Sequence, residues 1–186
     1  MLLAVILAVA CSGGPAPSPS PTAAATPVPS PAAVVAIRPP STDILAENEV
    51  GLTLAGGSDH VTITQAAAEQ QNQPLALTLY RSWGWIDEAV RAWGDSSRRA
   101  DDALLLLSKP EGAQRAFQAF AADFVKAPFT AVDCPPGLAA DECREGRSGT
   151  LTVMVVRVDR YVFRMQGLKV DLEQLATLQA AKIRKP

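Results

Sequence analysis

The sequence predicts an α+β domain: a mostly antiparallel sheet of about four main strands packed by about three helices, in the order α-β-β-α-β-β-α. Three observations carry this. Two runs rich in β-branched and aromatic residues, 150–158 and 161–166, are separated only by Asp159-Arg160, which is hairpin spacing. A further pair of strand-like runs lies earlier, at 85–93 and 102–108. Between and around these pairs, capping residues precede apolar positions spaced three and four apart, the signature of amphipathic helices.

In chain order, 41–64 is weakly patterned, with 50–54 and 61–64 reading as short extended pieces around the turn Gly56-Gly57-Ser58-Asp59. Thr62-Ile63-Thr64-Gln65 reads as a capping box opening a helix through Ala66, Ala67, Ala68 and Glu69. Pro74 interrupts or restarts that helix, Leu75, Leu79 and Trp83 continue it at four-residue spacing, and Gly84 stops it. The stretch 85–93 fits two periods. Ile86, Val90 and Trp93 suit a helix, whereas Trp85, Asp87, Ala89, Arg91 and Trp93 alternate as in a strand. Punctuation by Gly84 and Gly94 and the aromatic content favour the strand. Leu104-Leu105-Leu106-Leu107 is a short apolar run of the kind found in buried strands. Ser108-Lys109-Pro110-Glu111 starts the next helix, whose apolar face is Ala113, Ala116, Phe117, Phe120, Ala121 and Phe124, and Pro128 stops it. In the last strand Tyr161, Phe163 and Met165 share one face, and Asp171-Leu172-Glu173-Gln174 caps a final helix with Leu172, Leu175, Ala176 and Ile183 inward.

Ahead of this domain the chain has a different character. Residues 1–10 are an almost unbroken apolar run, too short for a bilayer-spanning helix of roughly 20 residues and of the length of a signal-peptide apolar region. Ala8-Val9-Ala10 has the small-residue form of a cleavage site, and Cys11 follows at once. Residues 2–11 resemble the export signal and lipobox of a bacterial lipoprotein. The resemblance implies a diacylglycerol thioether on Cys11, palmitate-type acyl chains and attachment to the extracytoplasmic face of the cell membrane. Cleavage after Ala10 without lipidation would give a secreted protein instead. Residues 11–40 then form a Pro/Ser/Ala/Thr-rich linker whose only charged side chain is Arg38. Such a composition cannot bury enough surface to fold, and its prolines favour an extended tether reaching on the order of 90 Å, against about 30 Å for a random coil. The domain itself is assigned to 41–186.

About 145 residues suit one domain. A net charge of −2 with mixed signs leaves no basic stripe for nucleic acid. Of three cysteines, lipidation of Cys11 leaves Cys134 and Cys143, which bracket a Pro/Gly-rich loop, and export outside the reducing cytoplasm favours a disulfide between them. Two cysteines and one distant histidine do not supply a zinc site, and the spacing is not C-x-x-C.

The remaining candidates for chemistry are sparse. His60 is the single histidine, it sits in a turn, and no G-x-S-x-G elbow accompanies it, so it reads as a surface residue. Asp101-Asp102 and Asp87-Glu88 lack a calcium-loop pattern and read as solvated faces. Glu142, Arg144, Glu145 and Arg147 read as a charged loop. Trp83, Trp85 and Trp93, three tryptophans within eleven residues, invite a ligand-binding wall, although packing in the core or on a sheet face accounts for them better. No catalytic residues, metal ligands or cofactor are expected.

The stretches 84–93, 103–124 and 160–163 with the terminal helix resemble extracytoplasmic sensor-type domains of actinobacterial lipoproteins and receptor kinases. That resemblance implies a non-catalytic module holding an unknown small ligand or an envelope protein in a cleft between helices and sheet. The alternative is a structural or assembly accessory of a cell-envelope complex. If Cys11 carries the anchor, Cys11→Ser releases the protein from the membrane fraction into the medium or soluble periplasm, as fractionation and immunoblotting would show; unchanged membrane retention refutes the anchor.

Overall fold

Leu104 to Leu107 do not alternate with polar residues because both faces of their strand are covered by helices. The computed structural model describes residues 35–122 and 128–186. Within them, β1 (Leu54–Ser58), β2 (Trp85–Gly94), β3 (Arg99–Leu107), β4 (Thr130–Val132), β5 (Glu142–Ser148), β6 (Leu151–Val158) and β7 (Tyr161–Leu168) form one sheet. Its order is β1-β2-β3-β7-β6-β5-β4, with every neighbouring pair antiparallel. The helices are α1 (Pro40–Asp43), α2 (Glu47–Val50), α3 (Ile63–Ala68), α4 (Gln73–Trp83), α5 (Pro110–Ala121) and α6 (Leu172–Ile183).

Strand alternation sends side chains into two separate cores. On one face Ala89, Trp93, Leu104, Leu106, Tyr161 and Phe163 meet Leu172, Leu175, Ala176, Ala180 and Ile183 of α6, together with Val35, Ile44 and Leu45 from the start of the folded chain. On the other face Leu105, Leu107, Val155 and Val162 meet α3, α4 and α5 through Ala67, Tyr80, Trp83, Ala113, Ala116 and Phe117. The result is three layers with the sheet in the middle.

This corrects the expected architecture of about four strands and three helices: the described residues hold seven strands and six helices. The additional strands lie outside the apolar centre of the sheet, where burial does not dictate an apolar sequence. Strand β1 is Leu-Ala-Gly-Gly-Ser, glycine-rich and mostly exposed, in the stretch expected to be a turn. Strand β4 is three residues long, a short edge of the kind that discourages further pairing. Strand β5, Glu-Cys-Arg-Glu-Gly-Arg-Ser, was expected to be a charged loop. Its charges are instead used across strands and helices: Arg157 donates to Glu142 at 2.5 Å, and Arg147 bridges Glu145 at 2.7 Å and Glu173 of α6 at 2.5 Å. The weakly patterned opening segment yields the single-turn helices α1 and α2, and residues 61–64 enter α3 rather than extending.

The caps hold largely as their chemistry requires. Thr62 accepts from the Gln65 amide, Asn72 from Leu75, and Asp171 from Gln174, each satisfying an orphan first-turn donor. Helix α5 differs, since its N-cap is Lys109 with no side-chain cap, and Ser108 instead donates its backbone N–H to the Gly84 carbonyl at 2.8 Å. Cys134 and Cys143 form a disulfide that ties the loop after β4 to the start of β5. Asp159 begins the β6–β7 turn at φ 52°, a left-handed conformation that Asp tolerates better than most residues.

The N-terminal segment is fastened by polar contacts. The Tyr161 hydroxyl accepts the Arg38 N–H at 2.7 Å and donates to the Arg38 carbonyl at 2.8 Å. The Arg38 guanidinium donates to the carbonyls of Lys182, Ile183 and Lys185 at 3.0, 3.2 and 2.9 Å, and pairs with buried Asp43. A cation on the last carbonyls of α6 satisfies acceptors that the helix leaves unpaired and complements its dipole.

Helices α4 and α5 approach so closely that a Cβ at Gly112 would lie 1.9 Å from the Trp83 carbonyl oxygen. Gly112→Ala is therefore expected to destabilise the protein by about 1–3 kcal/mol, although alanine ordinarily stabilises a helix interior. Urea unfolding measures this, and a stability gain would contradict the close approach.

Candidate ligand-binding groove

The helices do not cover the whole sheet. On the α3–α5 face an open groove of about 510 Å³ remains over β2, β3, β7 and β6. Alternation places Val90, Ala92, Ala103 and Val153 along its floor, with Arg164 and Gln166 of β7 and Asp101 of β3 among them. Gly56 and Gly57 of β1 form one wall, and Glu69, which follows α3, sits at the rim.

Arg164 is the organising charge. It donates to Glu88 of β2 at 2.8 Å, and its guanidinium carbon lies 4.3 Å from the centroid of the Phe120 ring, a cation–π distance. Its Nε is buried without a hydrogen-bond partner among the described residues. Glu88 is 2% exposed. Burial pushes its carboxyl pKa up, opposed by the charge of Arg164 and its hydrogen bond. At the far end of the groove Asp101 is held by Arg99 at 2.7–2.9 Å and by the Gln166 amide at 2.9 Å. The groove thus offers an apolar floor between one paired cation and a hydrogen-bonded carboxylate.

Asp102 occupies the opposite face. Its neighbours two residues away, Ala100 and Leu104, belong to the α6-side core, as does its cross-strand partner Met165. Its other cross-strand partner, Arg91, turns away to the Ser58 and Val90 carbonyls and to Asp59. Neither Asp102 oxygen has a hydrogen-bond partner among the described residues. Burial raises its pKa to about 8, opposed by the charges of Arg164 and Arg91. Asp102 is therefore mainly protonated at neutral pH.

The three tryptophans do not form one wall. Trp83 is buried at the end of α4, edge-on to Phe120 at 5.4 Å and 5.2 Å from Tyr80. Trp85 is half-buried in the same cluster, 4.8 Å from Tyr80. Trp93 lies on the other face, 1% exposed, with its indole N–H unpaired among the described residues. None of the three lines the groove. Cys134 and Cys143 are joined as expected, and Cys11 lies outside the described residues.

His60 is exposed, with Nδ1 2.8 Å from Asp87 Oδ2. Ser58 Oγ donates to the His60 carbonyl at 2.8 Å rather than engaging the ring, so no nucleophile–base contact forms there. Glu88 and Asp102 were expected on solvated faces and are instead buried. The residues that shape the groove, Arg164 above all, carried no motif. The available signal was a lone arginine inside the otherwise apolar run 161–165 and a glutamate inside the ambiguous stretch 85–93. Among the described residues no cluster of three or more His, Cys, Asp or Glu side chains suits a metal, and no helix is long and apolar enough to cross a membrane.

The pKa of Asp102 carries a sign. Its folded value lies above its ordinary value of 3.8, so the folded state holds a proton that the unfolded chain releases, and stability falls as pH rises from about 4 to about 8. Relative to the parent, Asp102→Asn is expected to gain stability progressively across that window and to be more stable at pH 8, as thermal melts at several pH values will show. A difference between the two proteins that does not change with pH refutes the assignment.

No family model and no curated protein sequence matches this chain. Its fold is similar to that of the extracellular domain of PknH from Mycobacterium tuberculosis, with a TM-score of 0.53 at 11% sequence identity, over 83% of this chain and 100% of that one. The likeness is one of fold.

Proposed function

We propose that this protein is an extracytoplasmic, lipid-anchored binding module of the sensor type, without catalysis, whose ligand lies in the groove floored by Val90, Ala92, Ala103 and Val153. The observation that carries the reading is the groove itself: an apolar floor framed by convergent polar groups, on a face that α3, α4 and α5 cover in part. Its dimensions suit a small amphipathic molecule, with apolar body over the alanines and an acidic or hydrogen-bonding group toward Arg164 or Gln166. The likeness to the extracellular domain of PknH supports an extracytoplasmic role, as do the disulfide and the export-type N-terminus.

A second reading, an accessory docked on an envelope complex, draws on the exposed side chains of Leu75 and Leu79 along the outer face of α4 and of Ile86 at the start of β2. The two readings separate on the groove. An aromatic sulfonate dye such as 1-anilinonaphthalene-8-sulfonate is expected to bind the folded protein with enhanced fluorescence, and Ala103→Phe, which fills the floor, is expected to abolish that signal while leaving circular dichroism unchanged. Dye binding that survives the substitution removes the groove as the site.

A further inference from the structure

One end of the sheet gathers cations without a carboxylate partner among the described residues. Strand β3 stops at Leu107, whose N–H donates to the Arg160 carbonyl in the β6–β7 turn, and α4 ends and α5 begins beside it. Arg81, Lys109 and Arg115 line a cleft of about 350 Å³ between these two helix ends. Arg115 donates to the Ser82 carbonyl at 2.8 Å and Arg160 to the Ser108 carbonyl at 3.2 Å, which fixes both beside the cleft. None of the four forms an ion pair with a carboxylate among the described residues, whereas Arg91, Arg99, Arg147, Arg157, Arg164 and Arg184 all do. Glu111 is the one carboxylate lining the cleft. Exposed Leu79 and Ile86 lie close in sequence to its Arg81–Gly84 wall.

Tyr161, whose hydroxyl bonds the backbone of Arg38, directly follows Arg160, so the first described residues reach this same end of the sheet on its α6-side face, and Ile37 is exposed. From the basic charge of the cleft and the exposed apolar side chains close to it we infer that the cleft end, through Arg81, Lys109, Arg115 and Arg160, is a docking surface for an anionic lipid bilayer. Each basic side chain near such a surface strengthens partitioning by roughly 5-fold, and the flanking apolar side chains enter the interfacial region. The docked domain then stands with its β2–β3 turn away from the membrane. The inference rests on the proposed location at the membrane and not on what the groove binds.

The test uses the full chain carrying Cys11→Ser, so that no lipid anchor contributes, with vesicles of 40:60 phosphatidylglycerol:phosphatidylcholine and of phosphatidylcholine alone. Co-sedimentation is expected to favour the anionic vesicles, and 0.5 M salt to remove the preference. Arg81→Glu/Lys109→Glu, which disturbs neither backbone contact of Arg115 and Arg160, is expected to weaken binding to the anionic vesicles by roughly 100-fold. Arg98→Glu/Lys169→Glu makes the same change in net charge at the other end of the sheet and is expected to leave binding unchanged. Equal binding to both vesicle types, equal loss in the two variants, or displacement by millimolar inorganic phosphate each overturns the inference, the last by identifying a soluble-anion site. Circular dichroism and retention of groove-dye binding confirm that the variants are folded, and release of Cys11→Ser from cells separately reports on the anchor.

Discussion

The constraint on which the structure depends is that its central strands are apolar on both sides. Strand β3 presents Leu104 and Leu106 to one core and Leu105 and Leu107 to the other, and β7 does the same with Phe163 and Val162. Leaving either face in water would forfeit roughly 1.5–3 kcal/mol for each large side chain exposed. The chain must therefore supply helices to both faces, and it does so by a simple division. The helices between β1 and β2 and between β3 and β4 cover one side, while the first residues of the folded chain and the last helix cover the other. The two ends of the domain are brought together by this requirement, and Arg38 on the carbonyls of α6 secures them.

Coverage is incomplete where the floor residues are small, and there the groove forms. Its position makes the buried charges intelligible. Arg164 and Glu88 sit at the boundary between the helix-covered and open parts of one face, and each compensates the desolvation of the other. Asp102 has no such compensation. Its potential partner Arg91 is committed to Asp59 and to backbone carbonyls, so the carboxyl is accommodated by taking up a proton.

The legible part of the fold was the part dictated by burial or by local chemistry. The strands β2, β3, β6 and β7 announce themselves through apolar runs or alternation, and α3 and α6 through the Thr62 and Asp171 caps. The outer strands do not. In β5 the alternating positions hold Glu145 and Arg147, which pair with each other, Arg147 also reaching Glu173 of α6, and β1 contains two consecutive glycines whose extended conformation is imposed by pairing with Ala92 and Arg91. The groove was illegible for a related reason. Its floor is made of alanine and valine, residues that carry no chemical signature, and it exists because of where helices end. Of the tryptophans, conspicuous in the sequence, Trp83 ends α4, while Trp85 and Trp93 fall on opposite sides of the sheet because the strand period is broken by a bulge between Trp85 and Asp87.

The fastening of the N-terminal segment has a mechanical side. In the order β1-β2-β3-β7-β6-β5-β4 the strand bearing Tyr161 is the middle one, with three strands on each side. A pull on the first described residues would be passed through Tyr161 to this interior strand rather than to an outer one that could be peeled away hydrogen bond by hydrogen bond. The chain's entry into the fold is thus secured where separating it means breaking strand pairings on both sides.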